Sequence, residues 1–598
     1  MMTQPSPVSR QKKSSYSVWR MARGRRAYGK WLMARDSVVL VSCNRPSAIS
    51  RTLFRAILSC CTPFAISSVL LRGTRHASRV TAFLLAMALS LSLNLSLSNA
   101  ASFGLADRVV EQKLANGLTV LMVERHQTPV VSLNMTFRVG GVNEQVGQTG
   151  LAHLYEHMAF KGTRTVGTKD YEKERPILEE LYRVGTDLEQ QQRDLVRRSP
   201  ERPASPEDRA AIEGLQKRFT ELQEQAGQFV AGNEMALLYQ RHGGVGLNAA
   251  TGKDLTRYMI SLPANRLPLW AALEADRMAH PVLREFYKER GVVMEERRLR
   301  NDDSPNGLLF ETFTSAAFRA HPYGIPTIGW ESDILSLTPA DTEAFFKAYY
   351  GPGNATIAIV GDMNPKDVMT LIEQTFGRIP AAPPQPSIVT VEPPQRGERR
   401  VEVEFDAEPS VAIGFHKPAL GHPDDYVFDV IDAVLSDGLT SRLYTNLVRE
   451  QRIAASVNSD SNYPGVRSPN LFVLNATPLA PHTTAEVEAA IYAELERLKT
   501  EPVSAKELEK VLNNLDADLV RALRSNGGLA SQLALYQTVA GDWRYALKAR
   551  DKIAAVTPAD IQRVAAEYFT KSNRTVATLV KKAGEKNVAT APLHEVAR

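Results

Sequence analysis

The strongest constraint on the fold is an internal repeat. Thr338-Pro339-Ala340-Asp341 recurs as Thr557-Pro558-Ala559-Asp560, an offset of 219 residues (557 − 338). At the same offset Tyr349, Asn354, Thr356 and Ala358 recur as Tyr568, Asn573, Thr575 and Ala577. T-P-x-D starts a helix, because Thr at the N-cap accepts a free N–H and Pro is tolerated at the first helical position. In each copy a helix, a turn and a β-rich strand follow. The sequence therefore predicts an α+β protein of two homologous α/β units, each a mostly antiparallel sheet packed with helices. The first copy runs on through Phe376-Gly377, and the Pro-rich stretch over 381–395 reads as the linker between units. A chain of 598 residues is also too long for a single core.

Only the first copy carries the stretch Gly150 to Thr163, GLAHLYEHMAFKGT. It holds His153, Glu156 and His157 in the order H-x-x-E-H, after a strand-like run (Val130 to Val139) and a Gly-rich turn. With Leu151 onward helical and Thr149 near the N-cap, the histidines fall at i and i+4 on one face. Two neutral imidazoles one turn apart can reach a single Zn²⁺ at about 2.0–2.1 Å. Glu156 hangs beside the same face, which places a general base next to a metal-bound water. H-x-x-E-H is the mirror of H-E-x-x-H and marks the inverted zincins.

Charge separates the chain into two parts. Residues 1–100 hold 15 Lys+Arg and one acid, a net of +14, whereas the remainder holds 57 basic and 65 acidic residues, a net of −8. The basic balance belongs to the leader, and the body offers no electrostatic case for nucleic acid. Thr81 to Leu97 is an apolar run behind Arg72, Arg75 and Arg79, and Ser98-Asn99-Ala100 puts small residues where a signal is cut. The expectation is a secretory signal cleaved after Ala100, with a periplasmic or secreted body. The run is too short and too polar for a spanning helix, which needs about 20 apolar residues. All three cysteines (Cys43, Cys60, Cys61) lie in this leader, so the body has neither a disulfide framework nor a thiol ligand.

The body opens with strand-like runs. Val109 to Leu114 and Leu118 to Val123 are joined by Asn116-Gly117 as a hairpin. After the motif helix, Tyr171 to Arg198 and Pro206 to Arg241 are charged and helix-periodic, separated by a Pro/Ser break over 199–206. They read as an inserted helical hairpin over about 170–242, expected to be a solvated arm. Farther on, the helical stretch Phe286 to Arg300 offers Glu289, Glu295 and Glu296 as carboxylates for a third ligand. Glu289 and Glu296, seven apart, share a face, while Glu295 points about 100° away from Glu296. The expected boundaries are a leader at 1–100, a zinc-binding unit at 101–380, the linker at 381–395, a second, non-catalytic unit at 396–585 and a tail at 586–598.

Phe137 to Thr163 resembles the first signature of the pitrilysin/insulinase (mitochondrial-processing-peptidase-like) family of zinc metallopeptidases. The resemblance covers about Leu105 to Lys582 apart from the hairpin. Its pattern E-R-x-x-x-x-x-E implies Glu296 as the third zinc ligand and Glu289 as a supporting carboxylate. His157 and Glu296 are 139 residues apart (296 − 157), about 60 more than the family spacing, and the hairpin accounts for the excess. Asn248-Ala249-Ala250-Thr251 with Thr256-Arg257-Tyr258 is similar to the family strand on which a peptide substrate lies, which implies that Asn248 and Ala249 bind substrate. In the family the half facing the zinc supplies an Arg and a Tyr seven residues apart. Arg449 fits the Arg, but Ser456 stands where Tyr is expected. The resemblance thus implies an exported zinc-dependent endopeptidase or oligopeptidase with one Zn²⁺ per chain. It also implies a homologous partner subunit, a heterodimer being favoured over a homodimer. A reading from a different class is a non-catalytic or peptide-binding structural subunit of the same fold. The intact set of His153, Glu156, His157 and Glu296 argues against it.

Overall fold

The computed structural model describes residues 104–197 and 205–582. The leader with its apolar run and cleavage site, the cysteines, most of the Pro/Ser break and the 586–598 tail lie outside the described residues.

Sheet one contains β1 (Val109–Lys113), β2 (Thr119–Glu124), β3 (Val130–Phe137), β4 (Val245–Thr251), β5 (Thr256–Pro263) and β6 (Ala355–Gly361). Its order is β1-β2-β6-β3-β5-β4, and only β2 and β6 run parallel. Sheet two contains β7 (Arg399–Phe405), β8 (Ser410–Lys417), β9 (Ala454–Tyr463), β10 (Asn470–Pro478) and β11 (Arg574–Lys581). Its order is β7-β11-β8-β10-β9, again with one parallel pair, β7 with β11. The orders match once β1 is set aside, so the two units share a topology as well as a sequence pattern.

Nine helices carry the argument: α1 (Leu151–Met158), α2 (Tyr171–Arg197), α3 (Pro206–Gly227), α4 (Phe286–Arg297), α5 (Pro305–Ala317), α6 (Pro339–Tyr349), α7 (Pro423–Ser436), α8 (Asn526–Ala540) and α9 (Pro558–Tyr568). The repeat is α6 with β6 and α9 with β11. Thr338 and Thr557 each cap their helix with the side chain, accepting from Asp341 N and Asp560 N, and each aspartate carboxylate returns the bond.

In each unit one face of the sheet packs on its own helices: Leu133, Met135 and Ile357 of sheet one lie against Leu154, Met158 and Trp270. The other face is covered by a helix of the other unit. Leu309, Phe313 and Ala317 of α5 pack on Ala412, Leu471, Val473 and Leu579 of sheet two. Leu529, Ala530, Leu533 and Ala534 of α8 pack on Leu121, Val123, Ala358 and Val360 of sheet one. Gly414 makes the first contact possible, since a Cβ there would lie 2.5 Å from the Phe313 ring. The segment over 381–395 has no helix or strand, yet it is pinned rather than loose. Glu392 accepts the N–H groups of Arg319, Ala320 and His321, and the Gln395 amide donates to Arg574 O.

The inserted hairpin departs from expectation in two ways. Its second helix ends at Gly227, and a separate helix covers Glu234–Arg241. The intervening backbone pairs instead with the chain after α1, through Lys169 N to Phe229 O and Ala231 N to Gly167 O, with Asn233 in the left-handed region at φ 56°. Nor is the hairpin solvated throughout: its outer length is exposed, with only Leu222 and Ala226 of α3 buried, but its root is packed. Leu178, Leu181 and Val184 of α2 close on Leu222 and Ala226 of α3 and on Val282. A fully buried ion pair between Glu174 and Arg284 fixes the root.

Candidate metal centre

The motif helix begins differently from the expected pattern. Gly150, at φ 92°, is the N-cap residue of α1, and Thr149 turns its hydroxyl to Asp333 Oδ2 at 2.8 Å. The free N–H groups are met by the buried carboxylate of Glu144, which accepts from Gly150 N at 2.9 Å and Ala152 N at 2.8 Å. A Cβ on Gly150 would strike Ile328 O at 2.6 Å, so only glycine fits this start.

From α1, His153 and His157 project toward α4. The ligand atoms of His153, His157 and Glu296 all lie within 4.8 Å of one another. His157 Nε2 is 3.3 Å from Glu296 Oε2, and His153 Nε2 is 3.7 Å from Glu296 Oε1. The edge of a tetrahedron with bonds of about 2.05 Å is about 3.3 Å. The His157–Glu296 separation matches that edge and the His153–Glu296 separation is longer, while the donor types, two imidazoles and a carboxylate, are those of a Zn²⁺ site. Glu289 Oε2 sits 3.5 Å from His157 Nδ1, on the far side of the ring, and Glu289 Oε1 meets Lys161 Nζ at 2.5 Å. Glu295 points to solvent and pairs with Arg298 at 2.6 Å. His153 Nδ1 is buried with no hydrogen-bond partner among the described residues. The two histidines are thus supported unequally.

The charges follow this geometry. Burial pushes His153 down to about 4, so it is neutral at pH 7. Burial also opposes protonation of His157, but the hydrogen-bonded carboxylates of Glu289 and Glu296 outweigh it and lift the imidazole to about 9. Burial would raise Glu296, yet His157, His153 and Arg300 together hold it down at about 2. A metal cation here would take the place of the proton between His157 and Glu296.

Glu156 stands apart from the three. Its Oε2 accepts a 2.6 Å hydrogen bond from Thr251 Oγ1, and burial raises its pKa above the ordinary carboxylate value despite that bond. Thr251 ends β4, so the same contact ties Glu156 to the sheet edge. Among the described residues β4 pairs only with β5 and is the outer strand. Its ladder places Asn248 opposite Met259 and Ala249 opposite Tyr258, with an irregularity between Val245 and Asn248. Asn248 is exposed and Ala249 half-buried. Arg449 lies in the second unit, exposed beside Glu450 at 3.2 Å and outside the His–His–Glu group. Ser456 is on β9, opposite Thr477.

Sequence reasoning missed four groups here: Glu144, Thr251, Lys161 and Arg300. Lys161 and Arg300 had a local signal, each four residues beyond a site residue (His157 and Glu296). Glu144 acts across a turn and had none, while Thr251 lay in the substrate-strand motif, which gave no sign of its bond to Glu156.

The hairpin reaches this centre through α4. Glu189 of α2 binds Arg290 at 2.5 Å, between Glu289 and Glu296, and Tyr182 Oη donates to Leu283 O at 2.8 Å. Gly185 leaves room for Tyr287, whose hydroxyl would lie 2.1 Å from a Cβ at that position.

Comparison with known proteins agrees with this architecture. A family profile described as Insulinase (Peptidase family M16) matches residues 119–189, and one described as Peptidase M16 inactive domain matches residues 336–515. The first match ends inside the hairpin, so Glu289 and Glu296 fall outside both. The zinc protease PqqE of Helicobacter pylori is 29% identical over 473 residues, covering 78% of this chain and 91% of the relative. The uncharacterized zinc protease YmxG of Bacillus subtilis is 23% identical over 460 residues, covering 76% and 94%. Among solved structures, a protease from Helicobacter pylori superposes with a TM-score of 0.65 at 28% identity, over 79% of this chain and 99% of that one. The periplasmic protease PqqL of Escherichia coli shares the fold at TM-score 0.58 and 17% identity, over 79% of this chain but 47% of that one. Against the first half of PqqL alone, the coverage of the other chain is 92%.

Proposed function

The chain belongs to the M16 peptidase family, and on that premise we propose that it is a zinc-dependent endopeptidase or oligopeptidase. His153, His157 and Glu296 would hold the metal, and Glu156 would act as general base. The observation that carries this reading is the convergence of two imidazoles and a carboxylate within 4.8 Å of one another, with a separate half-buried carboxylate, Glu156, beside them.

When bound there, Zn²⁺ supplies Lewis-acid charge that polarises a peptide carbonyl and eases deprotonation of water near neutral pH. Glu156 takes the proton from the attacking water and passes it to the leaving nitrogen. Its pKa, raised by burial, makes it a stronger base than an ordinary carboxylate. Thr251 holds the carboxylate in place for that transfer. A substrate in extended form would add to the open edge of β4 by backbone hydrogen bonds at Asn248 and Ala249. That mode accepts many sequences because the contacts are main-chain.

The test is Glu156→Gln. An amide can still accept the Thr251 hydrogen bond but cannot take the proton, so zinc content and fold should persist. Turnover of a peptide substrate should fall by roughly 10²–10⁴-fold. Full retention of activity would remove Glu156 from the role. Failure of the wild-type chain to bind zinc or cleave peptides would favour the non-catalytic subunit instead.

We further propose that the chain works with a homologous subunit in the periplasm or outside the cell. The support is that it spans about half of the full PqqL structure. In addition, Arg449 and Ser456 do not supply the Arg/Tyr pair that the resemblance implies.

A further inference from the structure

The helix that carries Glu296 does not end in a regular turn. α4 stops at Arg297 and continues as a π-helical turn, Arg298–Asp302. Such widened turns re-aim side chains and recur at functional sites. Three arginines of this run have different partners. Arg297 is buried against Glu311 and Gly329 O. Arg298 is taken by Glu295 and Asp303. Arg300 turns back to Glu296, with Nη1 2.6 Å from Oε1.

The two oxygens of Glu296 are thereby given different surroundings. Oε2 lies 3.3 Å from His157 Nε2, at tetrahedral spacing, while Oε1 lies 2.6 Å from Arg300 and 3.7 Å from His153. A carboxylate free to turn about its last torsion would present either oxygen, or both, to a metal. A guanidinium on one oxygen leaves the other as the ligand and fixes its direction.

Building on the zinc reading of this site, we propose that Arg300 is a positioning residue that clamps the outer oxygen of Glu296 so that Oε2 is held toward the metal. The Arg300 side chain is 63% exposed, so its replacement leaves no cavity in the core. Outer partners of ligand groups typically change metal affinity by roughly 10- to 100-fold.

The experiment uses the full chain as wild type, Arg300→Ala and Arg300→Lys. Zinc affinity is measured by competition with a chelator, and peptidase kinetics are measured over a range of free zinc. Arg300→Ala should bind zinc roughly 10- to 100-fold more weakly, with the lysine variant in between, since an ammonium supplies the charge without the planar fork. Turnover of the alanine variant should recover as free zinc is raised, and its unfolding midpoint without zinc should match wild type. Zinc affinity unchanged in Arg300→Ala overturns the clamp. So does a turnover loss that persists at saturating zinc, which would place Arg300 on the substrate instead. A wild-type chain that binds no zinc overturns both the clamp and the zinc reading, an outcome distinct from the other two.

Discussion

Removing Glu174 should cost far more than its place on a charged, helix-periodic insertion suggests. Both of its oxygens accept from Arg284 Nε, at 2.8 and 2.9 Å, and the two residues are 0% and 1% exposed. Glu174→Ala would leave the guanidinium buried with only the carbonyl of Val166, at 3.1 Å, and that of Lys161, at 3.4 Å. Arg284 Nη2 has no hydrogen-bond partner among the described residues, so no other bond there makes up the loss. Stripping one member from a buried pair costs about 3–5 kcal/mol. The full-length protein, unfolded in urea, should lose that much. Zinc binding should weaken in parallel, because Arg284 leads directly into α4 and its carboxylates. The matched double variant Glu174→Leu/Arg284→Met should recover most of the loss, since neither charge then has to be desolvated. A loss below about 1 kcal/mol, the range of an exposed pair, would refute the reasoning. So would a double variant as unstable as the single one.

Other outcomes are open to direct measurement. Glu296→Ala should abolish tight zinc binding in a chelator competition, while Glu295→Ala, at an exposed pair with Arg298, should leave it unchanged. His157 must shed a proton to bind metal and is protonated below about 9. Zinc affinity should therefore climb about tenfold per pH unit toward pH 9 and level off above it. Glu289→Gln removes one of the groups that raise His157, so the levelling should move to lower pH. The purified chain should cleave peptides weakly alone and gain activity from a homologous subunit. Light scattering that finds a stable homodimer with full activity would exclude that requirement.

Local chemistry made much of the fold legible. The T-P-x-D starts placed α6 and α9 at identical offsets, because capping boxes are short-range and leave a fixed signature. The i, i+4 histidines and the shared face of Glu289 and Glu296 were equally local, and the structure gathers them on α1 and α4. The start of α1 was not legible. Its N–H groups go to Glu144, six residues before Gly150 and across a turn, so no side chain at the expected cap position recorded it. The docking of the hairpin's root was not legible for a related reason. Periodicity in α2 and α3 reveals that one face is apolar, but not what covers it. The covering groups, Val282, Arg284 and Arg290, arrive from about a hundred residues farther along.

The two units were legible as copies but not in how they depend on each other. A repeat implies equivalent folds, and a Pro-rich segment between copies suggests separable ones. The exchange of α5 and α8 contradicts the second inference. Each sheet has one face that its own unit does not cover. On sheet one that face presents Leu121, Val123, Ala358 and Val360, all fully buried under α8. Exposing such side chains costs about 1.5–3 kcal/mol apiece for the larger ones, a large share of the 5–15 kcal/mol that holds a domain together. Removing the second unit would expose that face, so the zinc-motif unit alone should be strongly destabilised. The copy that lacks H-x-x-E-H thus has a physical role of its own, because it covers the back of the sheet whose opposite face carries α1 and whose edge carries Thr251.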